Sequence, residues 1–273
     1  MGCKYPIAAL LFDQNPKVEP MQYYKPNDAA EAVAFLSGAG GNARVLAGGT
    51  DLLVQMRTGR IAPEVIVDIK NIPGAREITQ TDGAFTVGAA VSGAEIGESS
   101  EFSEAWPGVS EAVQLIGSTQ IQGRATMVGN LCNASPAADS TPALIAANAV
   151  VNIEGPTGQR QLPVAEFATG PGQTSLAIGE FVASLTFPAR RARSADAYLR
   201  FIPRTEMDIA VASAGVDLTL DDTGNITHAQ VALGAVAATA FLDESTGAKL
   251  VGTALDENSL NEMAAICLSL IHI

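Results

Sequence analysis

Leu46-Ala47-Gly48-Gly49-Thr50-Asp51-Leu52-Leu53 decides how the rest of this chain is read. Residues 44–47 have the character of a brief strand and residues 52–56 are amphipathic, so the glycine pair marks a strand-to-helix turn. Adjacent glycines at such a turn can present backbone amides to an anion, with the Thr50 hydroxyl alongside and a helix N-terminus behind. A lone glycine pair is more often a tight turn that needs positive φ, and by itself the segment supports no more than that. Upstream, residues 28–36 predict a short capped helix. Downstream, residues 65–69 predict a strand buried on both faces and 85–89 a third strand, with a helix starting at Ser92 or Gly93. Residues 109–116 predict a helix. Residues 119–139, rich in Gly, Asn, Ser and Pro, lack periodicity and read as a long functional loop. A helix leading into a strand follows over 142–151, and a strand over 180–188 closes the first domain. The basic stretch 190–194 is the candidate linker. Beyond it, strands over 210–220 and 226–233 flank the turn Asp221-Asp222-Thr223-Gly224-Asn225 and open a small α+β second domain.

Composition narrows the function. A chain of 273 residues that is 47% hydrophobic buries a sizeable core, in one large domain or two ordinary ones. The net charge of -13, from 29 acidic and 16 basic residues, repels phosphate backbones and anionic lipid, which argues against nucleic acid or a membrane surface as partner. Three scattered cysteines, Cys3, Cys132 and Cys267, build neither a disulfide framework nor a CxxC site, and point to a reducing, cytoplasmic setting. No apolar run approaches the ~20 residues of a membrane span, and residues 7–12 are short even for a signal-peptide core. His228 and His272 offer too few nitrogens for a typical zinc or iron site, so metal chemistry is expected on a partner. No repeat or low-complexity segment is present.

A second constellation, Gly123-Arg124-Ala125-Thr126-Met127-Val128-Gly129-Asn130-Leu131-Cys132-Asn133-Ala134-Ser135-Pro136-Ala137-Ala138-Asp139, combines hydroxyls, amides and a carboxylate with few charges. Composition alone does not separate a cofactor-enclosing loop from a surface loop with Asx turns. The two segments in this order resemble the medium, FAD-binding subunits of molybdenum hydroxylases of the carbon monoxide dehydrogenase and xanthine dehydrogenase type, with the forms AGGTDLL and T-x-G-G-N-x-x-N-x-S-P-x-x-D. The similarity runs from about residue 21 to about 255 and includes Asp208-Ile209-Ala210 and residues 232–237.

The resemblance implies an α+β fold. A two-part FAD-binding domain of the PCMH (vanillyl-alcohol-oxidase-like) type spans 21–189, in subdomains of about 21–72 and 73–189. An irregular extension (1–20) precedes it, and a small α+β C-terminal domain (194–267) follows. It further implies that Ala47, Gly48, Gly49, Thr50 and Asp51 cradle the FAD diphosphate from one side. Thr126, Gly129, Asn130 and Asp139 then hold it and the adenosine end from the other, and Leu46, Leu52 and Ile116 complete the cofactor-binding set. Arg200 matches a second-domain position, often lysine in relatives, near the flavin. Val128 departs from the pattern, standing where many relatives have glycine. FAD is implied as the sole redox centre, since no cysteine-rich insertion is present. The implied partners are a molybdopterin-binding large subunit and a [2Fe-2S] small subunit in a heterotrimer, with NAD, quinone or oxygen as acceptor.

Two other readings remain open at this level: a self-sufficient FAD oxidase or dehydrogenase, and a flavin-free interaction scaffold motivated by Val128. The former needs a basic or aromatic substrate pocket, and the second domain is poor in His, Tyr and Trp. Cys132 is expected to be a small apolar filler rather than a redox thiol. Trp106 is expected to anchor a loop or interface, and Arg204, Glu206 and Asp208 to form ion pairs without a catalytic role. Residues 268–273 match the read-through of a sequencing adapter and are left out of the fold reading. The second domain is correspondingly expected to lack its last helix and to expose apolar surface.

Overall fold

A computed structural model describes residues 21–204 and 207–271. Strands β1 (Gln22–Tyr24), β2 (Ala43–Leu46) and β3 (Val65–Asp68) form a parallel sheet in the order β1-β3-β2. All four β3 residues are buried, as a central parallel strand requires. Helix α1 (Ala29–Gly38) connects β1 to β2, and its N-cap Asp28 accepts the Glu31 amide as the sequence predicts. Helix α2 (Leu52–Arg57) follows the glycine turn.

A five-stranded antiparallel sheet comes next, in the order β4-β5-β10-β6-β7. Strands β4 (Ile78–Thr81) and β5 (Ala84–Gly88) lead to six helices. These are α3 (Gly93–Glu98), α4 (Ser100–Ala105), α5 (Pro107–Gln114), α6 (Thr119–Gln122), α7 (Met127–Cys132) and α8 (Ser140–Ala146). The chain re-enters the sheet through β6 (Val150–Gly155) and β7 (Gly158–Pro163). After the two-stranded β8 (Ala168–Gly170) and β9 (Gln173–Thr174), it closes the sheet with β10 (Phe181–Phe187). One apolar core runs between this sheet and the helices, where Phe102 meets Phe85 and Phe187 edge-on at 5.4 and 5.1 Å. The structure corrects one expectation here: residues 119–139 are not an irregular loop but carry α6 and α7. Helices of four and six residues are too short to show a 3.6-residue period.

Strands β11 (Ser194–Phe201), β12 (Ala212–Leu220), β13 (Ile226–Gly234) and β14 (Phe241–Leu242) form a second antiparallel sheet in sequential order, followed by α9 (Glu244–Leu250) and α10 (Glu257–Ile271). The β12–β13 turn forms as read: Gly224 has φ +88 and the Asp221 carboxylate accepts the amides of Thr223 and Asn225. This sheet rests on α8 with almost no clearance, since a Cβ on Gly215 would stand 2.5 Å from the Pro142 carbonyl oxygen. The candidate linker is anchored at its first residue and exposed over 191–193. Arg190 bonds Asp217 at 2.5 Å, and β11 starts at Ser194 within the basic stretch. Residues 268–271, omitted from the sequence reading, continue α10. Residues 1–20, including Cys3, lie outside the described residues, as do Thr205, Glu206 and His272.

Candidate functional site

The glycine turn is built by its neighbours on both sides. Leu46 ends β2, and Gly49 takes φ +80, so the positive-φ requirement is met at the second glycine. Gly48 answers to close approach instead: a Cβ there would stand 1.9 Å from the Arg124 carbonyl oxygen. The first motif therefore lies directly against the residues that open the second. From below, Lys70 donates to the Ala47 carbonyl at 3.1 Å while ion-paired to Asp68 at 2.7 Å. Burial works to raise the Asp68 carboxyl, but hydrogen bonds from Lys70 and Tyr23 outweigh it and hold the group below its usual range. Among the described residues no partner is found for the backbone amides of Gly48, Gly49, Thr50 and Asp51.

In the second motif, Thr126 N-caps α7 by accepting the Gly129 amide at 2.9 Å. Gly129 is required there, because a Cβ would approach the Thr126 hydroxyl to 2.7 Å. Asn130 uses its side-chain oxygen on the Ser140 hydroxyl at 2.7 Å, joining α7 to the start of α8. Val128 is buried in the core, so the side chain that a glycine would lack is absorbed away from the turn. Asn133, not among the expected site residues, accepts from Gln55 at 3.1 Å and donates to Asp51 at 3.5 Å, stitching α2 to the second motif. The structure thus sets Gly48 against Arg124 and Ala125, just before the turn at Thr126, and Asp51 against Asn133 at the far end of α7.

Asp139 closes the motif, and both of its oxygens are taken by the second domain. Arg200 Nη1 donates to Oδ2 at 2.8 Å and Tyr198 Oη donates to Oδ1 at 3.0 Å. Burial moves the Asp139 carboxyl above its ordinary value, against the Arg200 guanidinium and the Tyr198 hydroxyl, which pull it down. Arg200 also donates to the Leu115 carbonyl at 3.2 Å, which places the neighbouring Ile116 beside the same group. Tyr198 was not among the expected site residues. Its signal was period two: on a strand it shares a face with Arg200.

Burial pushes the Cys132 thiol up to about 12, which suits the filler role and leaves little thiolate for redox chemistry. Trp106 is 2% exposed and packs between Phe187 and the Arg190 guanidinium, an anchor as expected. Arg204 and Asp208 form an exposed ion pair at 3.2 Å. Among the described residues no helix is long and apolar enough to cross a membrane, and no group of three His, Cys, Asp or Glu side chains is placed to hold a metal ion.

Known proteins share this arrangement. A family model described as FAD binding domain in molybdopterin dehydrogenase matches residues 19–190, and one described as CO dehydrogenase flavoprotein C-terminal domain matches residues 197–272. The carbon monoxide dehydrogenase medium chain of Hydrogenophaga pseudoflava is 31% identical over 251 residues, covering 90% of this chain and 86% of that one. The xanthine dehydrogenase FAD-binding subunit of Escherichia coli O157:H7 is 32% identical over 219 residues, 80% of this chain and 74% of its own. The structure of a Hydrogenophaga pseudoflava carbon monoxide dehydrogenase lacking the Mo-pyranopterin moiety superposes with a TM-score of 0.86 at 30% identity, over 91% of this chain and 86% of that one. With both domains matched and the two motifs side by side, the chain belongs to the FAD-binding subunits of the molybdenum hydroxylases, of the carbon monoxide dehydrogenase and xanthine dehydrogenase type, and is an FAD-dependent oxidoreductase subunit.

Proposed function

We propose that this chain is the electron outlet of a heterotrimeric molybdenum hydroxylase. It receives electrons from the [2Fe-2S] clusters of a small subunit, supplied by a molybdopterin-binding large subunit, and delivers them to NAD, quinone or oxygen. The observation that carries this reading is the convergence of two loops distant in sequence with one second-domain arginine: Gly48 against Arg124, Asn133 against Gln55 and Asp51, and Arg200 on Asp139. FAD, when bound, supplies the exchange between one-electron and two-electron transfer.

The chain's own residues bind and orient. The unpartnered amides of Gly48, Gly49, Thr50 and Asp51 fit a diphosphate, which needs several N–H donors and tolerates no side chain between them. Leu46 and Leu52 flank that cradle. Thr126, Gly129 and Asn130 shape the opposing wall by fixing the first turn of α7 and its link to α8. Ile116, Asp139 and Arg200 bound the cofactor where the two domains meet. Domain limits of 21–189 and 194–267 and a cytoplasmic location complete the proposal.

The test begins with the purified chain, its flavin released by denaturation and quantified. The expected result is close to one FAD per chain. Gly49→Glu should abolish it, because position 49 holds φ +80 and a Cβ there would meet Leu46 Cδ1 at 2.8 Å. Anaerobic mixing with a pre-reduced [2Fe-2S] partner should then bleach the flavin band. A flavin that ignores that partner but is bleached by a small-molecule donor alone would overturn the proposal in favour of a self-sufficient enzyme.

A further inference from the structure

Asp139 and Arg200 form a carboxylate–guanidinium pair, and such pairs are frequently bidentate, with two parallel N–H···O bonds. This one is not. Arg200 spends only Nη1 on the carboxylate, at 2.8 Å, and the same nitrogen on the Leu115 carbonyl at 3.2 Å. Its Nε and Nη2 make no hydrogen bond among the described residues. The second carboxylate oxygen, which would complete a fork, is held by the Tyr198 hydroxyl at 3.0 Å. Tyr198 is 1% exposed, so this bond is shielded from water. Tyr198 and Arg200 lie two apart on β11 and reach the same face. The sheet is seated closely on α8: on β12 and β13, Gly215 and Gly234 would each place a Cβ 2.5 Å from Pro142. Asp139 immediately precedes α8 and cannot drift from the pair.

We propose that Tyr198 is a positioning residue for the cofactor, which by occupying one oxygen of Asp139 keeps the Arg200 guanidinium singly engaged and its remaining N–H donors turned to FAD. The inference rests on the reading of Arg200 as a cofactor contact and adds the residue that keeps Arg200 available. Without the hydroxyl, the freed carboxylate oxygen rotates to Arg200 and closes the fork. The ion pair is then kept or strengthened, and the donors are withdrawn from the ligand. Affinity for FAD and stability of the protein therefore separate, which a merely structural tyrosine would not allow.

The experiment is a flavin-fluorescence titration of the full-length apo chain with FAD, together with its thermal midpoint, for wild type, Tyr198→Phe, Asp139→Asn and the double variant. Tyr198→Phe is expected to weaken FAD binding by about tenfold or more, the scale of a hydrogen bond to a charged group, with the apo midpoint unchanged. In the Asp139→Asn background no carboxylate fork can form, and Tyr198→Phe should add nothing. Wild-type affinity in Tyr198→Phe, an equal loss in both backgrounds, or a midpoint that falls in step with affinity each overturns the proposal. A wild-type chain that takes up no FAD removes the underlying reading as well as this one.

Discussion

Strand β11 meets the first domain at both of its ends, and the two meetings are built differently. At the N-terminal end Asp196 accepts the Val109 amide at 2.9 Å. Arg190 reaches Asp217 at 2.5 Å and Asp196 at 3.6 Å while lying 4.1 Å over the Trp106 ring. Two carboxylates therefore face one guanidinium, which also lies against an aromatic ring. Burial pushes the Asp196 carboxyl up to about 6; the Val109 amide and Arg190 oppose this, and the Asp217 charge adds to it. At the C-terminal end one carboxylate faces two donors, Tyr198 and Arg200, and the guanidinium keeps N–H groups in hand. On the proposed reading, the first node is a fastening and the second faces the cofactor. Burial does not distinguish them, since the Arg200 side chain, at 8% exposed, is more buried than that of Arg190, at 16%. The balance of carboxylates against donors does.

The sharpest way to break this contrast is Arg190→Ala, which leaves Asp196 and Asp217 buried without a counter-ion. Urea unfolding should show a loss of about 3–5 kcal/mol, with the FAD affinity of the folded fraction unchanged. A loss in affinity without a loss in stability would reverse the assignment of the two nodes. Arg200→Ala should do the opposite, weakening FAD binding on the order of 10- to 100-fold in a flavin titration and lowering stability less than Arg190→Ala.

A third expectation concerns pH. The folded-state value of Asp196, about 6, is raised above an ordinary aspartate near ~4. Ionising this group therefore favours the unfolded chain, and its contribution to stability is lost as pH rises through that window and regained as pH falls. Asp196→Asn keeps an acceptor for the Val109 amide and should flatten that slope in thermal midpoints measured across the window, leaving neutral-pH stability equal or higher. An unaltered slope would remove Asp196 from the account. The smallest effect belongs to Trp106→Phe. It weakens a cation–π contact worth ~0.5–2 kcal/mol, but it also removes a buried indole N–H that has no partner. The net change in stability should stay below ~1 kcal/mol.

Much of the fold was legible because local signals agreed with it. The Asp28 cap, the buried β3 run and the Asp221–Asn225 turn each need only neighbours in sequence, and the two cofactor motifs are contiguous. Strand β11 was not legible, and the reason is its polarity. Asp196, Tyr198 and Arg200 face inward, while Ala195, Ala197, Leu199 and Phe201 face outward, with Leu199 74% and Phe201 64% exposed. That inverts the alternation by which a half-buried strand is recognised. The inversion makes sense only once the inward face is seen to lie against charged and hydrogen-bonding groups of another domain.

The sequence by itself determined the family, the cofactor class and the two motifs proposed to hold it, because these reside in contiguous residues whose backbone demands are local. Only the tertiary structure decided that Asp139 is shared between Tyr198 and Arg200, and that Arg190 faces both Asp217 and Asp196. Asp139 and Arg200 stand 61 residues apart, and Asp196 and Val109 stand 87 apart. Whether such groups meet depends on how the second sheet is seated on α8, and no local propensity encodes that.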